Sequence, residues 1–251
     1  DKTGKVGKPH FHSRRYLKLS YTGKATVKIA GKRYLYLPKL GYIKTSKTDV
    51  LKDSKIKRYT VSLEPTGKYY VSLQVEVVRL NRFRRTNKKV GIDVGVTDLA
   101  ILSNGLKYPS FDGSYYEKKA ISWQQKYSRR RHFAQMLCLQ DKQRKALCPR
   151  SLDSFFNWQK AQKTKASYQA KVAAQRKDYL HKLTTYLVKQ YDVIAIEDLK
   201  VKNLKKNHHL AKSIVNASWG MFRQMLEYKC RWYGKQLVVV NPKNTSRICS
   251  N

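Results

Sequence analysis

Two short runs of β-branched residues, far apart in the chain, each end on a carboxylate: Lys89-Val-Gly-Ile-Asp93 and Val193-Ile-Ala-Ile-Glu197. Runs of this kind read as buried strands, where an ionised side chain is costly unless it is paired or holds a cation. A chain built this way has to bring both runs into one sheet and fit everything between them around it. Asp98-Leu-Ala-Ile-Leu-Ser103 is predicted to pair back on the first run, and the turn at Asn104-Gly105 signals a tight hairpin. From about 113 to 190 the residues are helical in type, with Trp123, Tyr127, Phe133 and Leu137, and later Tyr179, Leu180, Leu183, Tyr186 and Leu187, spaced at three and four. Cys148-Pro149 breaks this stretch into at least two helices, because proline cannot continue the hydrogen-bonded turn. The expectation is a basic helical hairpin inserted between sheet strands, with Arg129-Arg130-Arg131 near its tip. After Glu197, the stripe Val215, Trp219, Phe222, Leu226, Cys230, Tyr233 reads as the core face of one more helix, and Leu237 to Val240 as a last strand.

Residues 15 to 79 follow a different rule. Apolar and polar residues alternate in short runs punctuated at Thr22-Gly23, Gly31-Lys32, Pro38 and Pro65-Thr66-Gly67, which predicts about five antiparallel strands in a small β-barrel. Lys18, Lys28, Lys32, Lys57 and Arg58 alternate on its outward phase with Tyr16, Tyr21, Tyr34, Tyr36, Tyr42 and Tyr59. Rings that stack on bases and cations that follow phosphates suit RNA or single strands. The predicted organisation is a β-barrel over 1–80, a basic connector over 81–88 and a sheet-and-helix domain over 89–244. Its helical insertion spans about 113–190, and a short cysteine-bearing segment follows over 245–251. The fold class is therefore mixed, α+β and α/β in its two parts.

Lys and Arg number 54 against 16 Asp and Glu, a formal net charge of +38 in 251 residues. So large an excess destabilises a compact fold through self-repulsion unless a polyanion neutralises it, and nucleic acid is the polyanion that fits. The longest apolar runs fall short of the roughly 18–20 residues that span a bilayer, and the polar Asp1-Lys-Thr-Gly-Lys start has no signal-peptide core. The expectation is a cytoplasmic, nucleoid-associated protein with no membrane partner. Four cysteines, at 138, 148, 230 and 249, lie too far apart for a disulfide framework. Cys138 and Cys230 read as packed thiols. Cys249 stands in Thr245-Ser-Arg-Ile-Cys-Ser-Asn251, where a Cys-x-x-Cys zinc knuckle would place its second ligand at the next position. Both ends read as cut from a longer protein.

Phosphodiester hydrolysis needs a basic water and a neutralised leaving oxygen, and two cations about 3.5–4 Å apart supply both when carboxylates bridge them. Magnesium prefers such hard oxygens and keeps several waters, so a few carboxylates suffice. Asp93 and Glu197 fit two of these positions, and Gly91 and Gly95 would let a nucleic-acid backbone approach. Asp98 and Asp198 are weaker candidates, and His181, His208 and His209 have no ligand spacing tied to a carboxylate.

These residues resemble a known family. Val90-Gly-Ile-Asp-Val-Gly-Val-Thr-Asp-Leu-Ala-Ile-Leu-Ser-Asn-Gly105 is similar to the first RuvC motif of TnpB, the transposon-encoded ancestor of type V CRISPR effectors, and Ile194-Ala-Ile-Glu-Asp-Leu199 to its second. Leu37-Pro-Lys-Leu-Gly-Tyr42, Arg176-Lys-Asp-Tyr-Leu-His-Lys-Leu, Trp219-Gly and Trp232-Tyr-Gly234 support the match, and Asn244 to Asn251 resembles the entry of the family's zinc ribbon. The resemblance implies a wedge-like barrel and an RNase H-like RuvC domain that binds a guide RNA and cleaves target double-stranded DNA. It implies Asp93 and Glu197 as catalytic residues holding magnesium, and Cys249 as a zinc ligand of an incomplete ribbon. Guide and target would be gripped by Lys18, Lys28, Lys57 and Arg58, by Arg82, Arg84 and Arg85, by Arg129, Arg130 and Arg131, and by Lys200, Lys202, Lys205 and Lys206. The family's third acid lies beyond its zinc ribbon. The alternative is therefore an RNA-guided DNA-binding repressor with an incomplete site, and behind it a guide-free resolvase.

Overall fold

The computed structural model describes residues 19–24, 27–46, 55–76, 82–198 and 218–240. The chain divides into two compact units, Asp1–Val78 and Arg79–Asn251.

Six strands make up the described part of the first unit: β1 (Ser20–Gly23), β2 (Lys28–Ala30), β3 (Tyr34–Leu37), β4 (Gly41–Lys44), β5 (Lys55–Leu63) and β6 (Tyr69–Glu76). They form two antiparallel sheets of three strands, in the orders β1-β5-β6 and β2-β3-β4. The closed barrel expected from period-two alternation is not formed, since no ladder joins the two sheets among the described residues. Alternation sets which side chains face inward but not which strand pairs with which. Here Gly31 and Gly41, both at φ +71°, close the tight turns of the β2-β3-β4 meander, while β1 pairs with β5 across a long excursion. Among the described residues, Leu35, Leu37 and Tyr59 are the buried apolar residues of this unit. Tyr59, expected on the outward phase, is instead its largest core side chain. A Cβ at Gly23 would fall 2.3 Å from the Tyr59 ring, so that strand end has to be glycine. The Tyr59 hydroxyl contacts that of Tyr21 at 3.2 Å and donates to the Pro38 carbonyl at 3.4 Å. The Tyr21 hydrogen bond, then burial, push the Tyr59 phenol up to about 12.

The second unit is built on a five-stranded sheet of β7 (Lys89–Asp93), β8 (Asp98–Leu102), β9 (Lys107–Pro109), β10 (Val193–Glu197) and β11 (Gln236–Val240), in the order β11-β10-β7-β8-β9. β7, β8 and β9 form an antiparallel meander whose tight turn carries Gly105 at φ +86°, as Asn104-Gly105 predicted. β10 lies parallel to β7, and β11 parallel to β10. Helices α1 (Ser114–Gln143) and α2 (Phe156–Gln190) form the inserted hairpin, broken at Cys148-Pro149 and a single 3-10 turn over Leu152–Ser154. Helix α3 (Trp219–Tyr233) returns the chain from β10 to β11 and ends at Gly234, whose left-handed φ of +72° allows the Lys235 amide to reach the Cys230 carbonyl.

One face of this sheet, with Val90, Ile92, Ile194 and Ile196, packs against Leu180, Leu183, Leu187 and Val188 of α2 and Phe222, Met225, Leu226 and Cys230 of α3. The stripe expected on α3 thus forms core wherever it is described. Burial pushes the Cys230 thiol up to about 11, as expected for a packed cysteine. The stripe expected on α1 does not form core. Trp123, Tyr127 and Leu137 are half-buried and Phe133 is exposed, while the residues α1 buries are Ala120 and Ala134. Small residues let the two helices approach, and aromatic–cation pairs flank the seam: Lys171 over Tyr116 at 4.5 Å, Lys165 over Tyr127 at 5.2 Å. At about 1.5 Å per residue, 30-residue α1 is about 45 Å long. Arg129-Arg130-Arg131 therefore sits midway along α1, not near the tip, because the break comes later in the chain.

Candidate carboxylate site and nucleic-acid surface

Parallel pairing of β10 with β7 runs Val193 with Lys89 through Ile196 with Ile92. The next residue on each strand is the carboxylate, so Glu197 and Asp93 end neighbouring strands, roughly 4.8 Å apart in a sheet, at the same phase of alternation. Their phase is opposite to that of the buried Ile92 and Ile196, so both acids point to the face away from α2 and α3. Asp93 is exposed and Glu197 half-buried. The expectation of acids embedded in buried strands is corrected here: Ile92 and Ile196 are buried, but the carboxylates that follow them are not.

The backbone beyond Asp93 is tightly held. The Gly95 amide donates to the Asp98 carbonyl at 3.0 Å, and the Trp219 indole donates to the Gly95 carbonyl at 2.9 Å. A Cβ at Gly95 would fall 2.8 Å from the Asp98 carbonyl oxygen, so glycine is required there, whereas at Gly91 it would meet only Ser103 at an ordinary 3.7 Å. Asp198 is drawn aside into an ion pair with Arg223. The Asp98 backbone, through its carbonyl, shapes the turn.

Asp93 and Glu197 offer the hard oxygen donors that suit magnesium, and no cluster of three or more Asp, Glu, His or Cys forms among the described residues. The residues present fit two of the ligands of a divalent ion. Cys249, Lys18, Lys200, Lys202, Lys205, Lys206, His208 and His209 lie outside the described residues. His181 is half-buried at the α2–α3 contact, with Tyr228 3.4 Å from Nδ1, and burial followed by the Lys229 charge lowers its pKa.

The predicted cations divide into three groups. Lys28, Lys57 and Arg58 are exposed on the first unit, where Lys57 pairs with Glu76 at 3.1 Å. Arg129, Arg130 and Arg131 are exposed on α1. Arg82, Arg84 and Arg85 project from a connector fixed at the opposite end of the sheet from the carboxylates. Phe83 stacks on Tyr233 at 4.0 Å, and the Asp192 carboxylate accepts the amides of Thr86 and Asn87 at 2.9 and 2.7 Å. Within the second unit, this connector leads into the start of β7, whereas Asp93 and Glu197 stand at the ends of β7 and β10.

The family model described as "Probable transposase" (OrfB_IS605) matches residues 71–208, more than half of the chain. The chain belongs to this OrfB/TnpB family. A second model, "Cas12f1-like, TNB domain", matches residues 219–251. A Streptomyces pristinaespiralis protein provisionally named an RNA-guided DNA endonuclease is 37% identical over 182 residues, covering 72% of this chain and 40% of that protein. The Escherichia coli K12 protein InsQ, with the same provisional name, is 31% identical over 232 residues, covering 86% of this chain and 52% of its own length. The chain thus spans about half or less of the relatives it matches. A cryo-EM structure of a Cas12f1–sgRNA–target DNA complex aligns over 78% of this chain and 38% of that one, at 16% identity and a TM-score of 0.44.

Two charged groups of this TnpB-family chain that the sequence alone did not single out are largely withdrawn from water. Lys235, with a side chain only 1% exposed, pairs with Asp192 and donates to the Arg84 carbonyl at 2.8 Å; with the backbone amides it holds the Asp192 carboxyl down at about 2. Lys229 is 5% exposed and donates to the His181 carbonyl and the Thr184 and Thr185 hydroxyls, each at 2.7 Å, and burial lowers its pKa to about 8. One signal was available in each case: Lys229 falls within the apolar stripe of α3, and Asp192 directly precedes a β-branched run.

Proposed function

We propose that this protein is an RNA-guided, magnesium-dependent DNA endonuclease that uses Asp93 and Glu197 in a RuvC-type site. The observation that carries the reading is the pairing of β7 with β10, which ends two neighbouring parallel strands on carboxylates of the same phase. A three-strand meander with two further strands parallel to its first is the order of an RNase H-like sheet, which supports it. The names of the relatives and the charge of +38 support guide RNA and target double-stranded DNA as partners.

A divalent ion bound there supplies positive charge to the scissile phosphate and its leaving oxygen. Asp93 and Glu197 hold that position from two strands at once. Trp219 fixes the backbone after Asp93 through the Gly95 carbonyl, and Arg223 keeps Asp198 engaged elsewhere. Exposed arginines of the connector and of α1 bind phosphates, giving an affinity that falls as salt rises. Zinc, if bound, would belong to the ribbon that Cys249 begins.

Asp93→Ala or Glu197→Ala is expected to abolish guided cleavage while RNA still copurifies with the protein. Retained cutting by either variant refutes the assignment. The second reading, an RNA-guided repressor, draws support from the lack of a third acid beside the pair among the described residues. It would be established by wild-type protein that binds RNA and target yet leaves the DNA intact.

A further inference from the structure

Midway along the hairpin, α1 and the start of α2 enclose an open cleft of about 500 Å³. That volume lies within the roughly 300–1,000 Å³ of small-ligand sites. Its apolar lining is three rings: Phe133 from α1, Phe155 from the connector and Trp158 from α2. Its rim is Lys126, Arg129 and Arg130, and no carboxylate among the described residues lines it. The Phe133 ring is not needed for the core. Phe133 is 64% exposed, while its neighbour Ala134 makes the buried contact in the seam.

The lining is also held in place. The Trp158 indole donates to the Leu152 carbonyl at 2.9 Å, so its ring plane is fixed. The Arg130 guanidinium donates to the Asn157 carbonyl at 3.2 Å, tying α1 to the first turn of α2. Arg129 lines both this cleft and a second hollow beside it, formed with Gln124, Gln125 and Ser128. A cation shared by two adjoining hollows suits a chain of phosphates that runs through both.

We propose that this cleft seats one unpaired base of the bound RNA against its rings, with the flanking phosphates on Arg129, Arg130 and Lys126. The inference rests on the RNA-binding part of the function proposed above and adds a site to it. Base–aromatic stacking takes any base because each has a π-face, and a guanidinium rim supplies the phosphate contact. RNA presents such bases in loops and bulges. Asn157 also lines the cleft, and its side-chain amide carries a donor and an acceptor of the kind a 2′-hydroxyl can use.

The test uses the whole protein and fluorescence anisotropy with three labelled probes of one sequence: single-stranded RNA, the blunt RNA duplex and single-stranded DNA. Phe133→Ala is expected to weaken single-stranded RNA binding about tenfold, the size of one lost stack, and to leave duplex binding within about twofold. Arg129→Gln is expected to flatten the salt dependence of single-strand binding by about 0.7 in log–log slope. A 5-iodouridine placed in an RNA bulge should crosslink to Phe133, Phe155 or Trp158. Unchanged single-strand binding by Phe133→Ala, or a crosslink elsewhere, overturns the cleft while leaving the guided-nuclease reading intact. Wild-type protein that binds no RNA fails that reading and the cleft with it. Equal loss for single-stranded DNA overturns the choice of RNA, and a dimer dissolved by Phe133→Ala would make the occupant a second copy.

Discussion

Helix α2 is one continuous element with two unlike halves. Its C-terminal half buries Leu180, Leu183, Thr184, Leu187 and Val188, while its N-terminal half buries Ala161, Ala166 and Val172. The C-terminal half is packed as protein interior, with branched side chains facing the sheet and α3. The N-terminal half is a spacer whose seam uses small residues and rings under cations, and its outer surface carries Phe156 at 76% exposure. The difference shows that helix formation and core formation are separate demands: the outer half needs only helical propensity and a partner helix, so its surface is not committed to the core.

The comparison can be broken most strongly at the root. Leu187→Ala, at a fully buried position, is expected to cost about 2–5 kcal/mol in denaturant unfolding. A smaller loss would mean that the sheet and α3 close around the vacancy. Next comes Lys229, on the α3 side of the same root. Its folded pKa of about 8 lies below the ordinary 10.5, so between these values the unfolded chain binds more protons and stability rises with pH. Wild type should therefore gain up to about 1.4 kcal/mol per pH unit over Lys229→Met in this window, read from parallel urea titrations at pH 8 and pH 10. The smallest effect belongs to the outer half. Phe156→Ser should shift stability by no more than about 0.5 kcal/mol, and a larger loss would mean that this surface is covered in the folded protein.

Much of the second unit was legible in the chain. β-branched runs ending in Asp93 and Glu197, the Asn104-Gly105 turn and the proline break at Pro149 are local signals, and each produced the expected element. The sheets of the first unit were not, because ladder partners such as Ser20 with Ser62 are chosen by tertiary packing rather than by alternation. The α1 spacing misled for a related reason: aromatic residues at three and four mark a face, but the seam was closed by Ala120 and Ala134. Asp192 and Lys235 were not singled out from the sequence because the partners that draw them from water come from a distant part of the chain.

The placement of the two acids depends on an adjustment made at the far edge of the sheet. β10 begins where Asp192 clasps Thr86, Asn87 and Lys235, and a slip of one residue against β7 would turn Glu197 to the helix-covered side and leave Asp93 alone. That clasp acts as an index stop: it sets how far the strand is drawn in before its last residue arrives, so the position of the carboxylate pair at one end is calibrated by an anchor at the other.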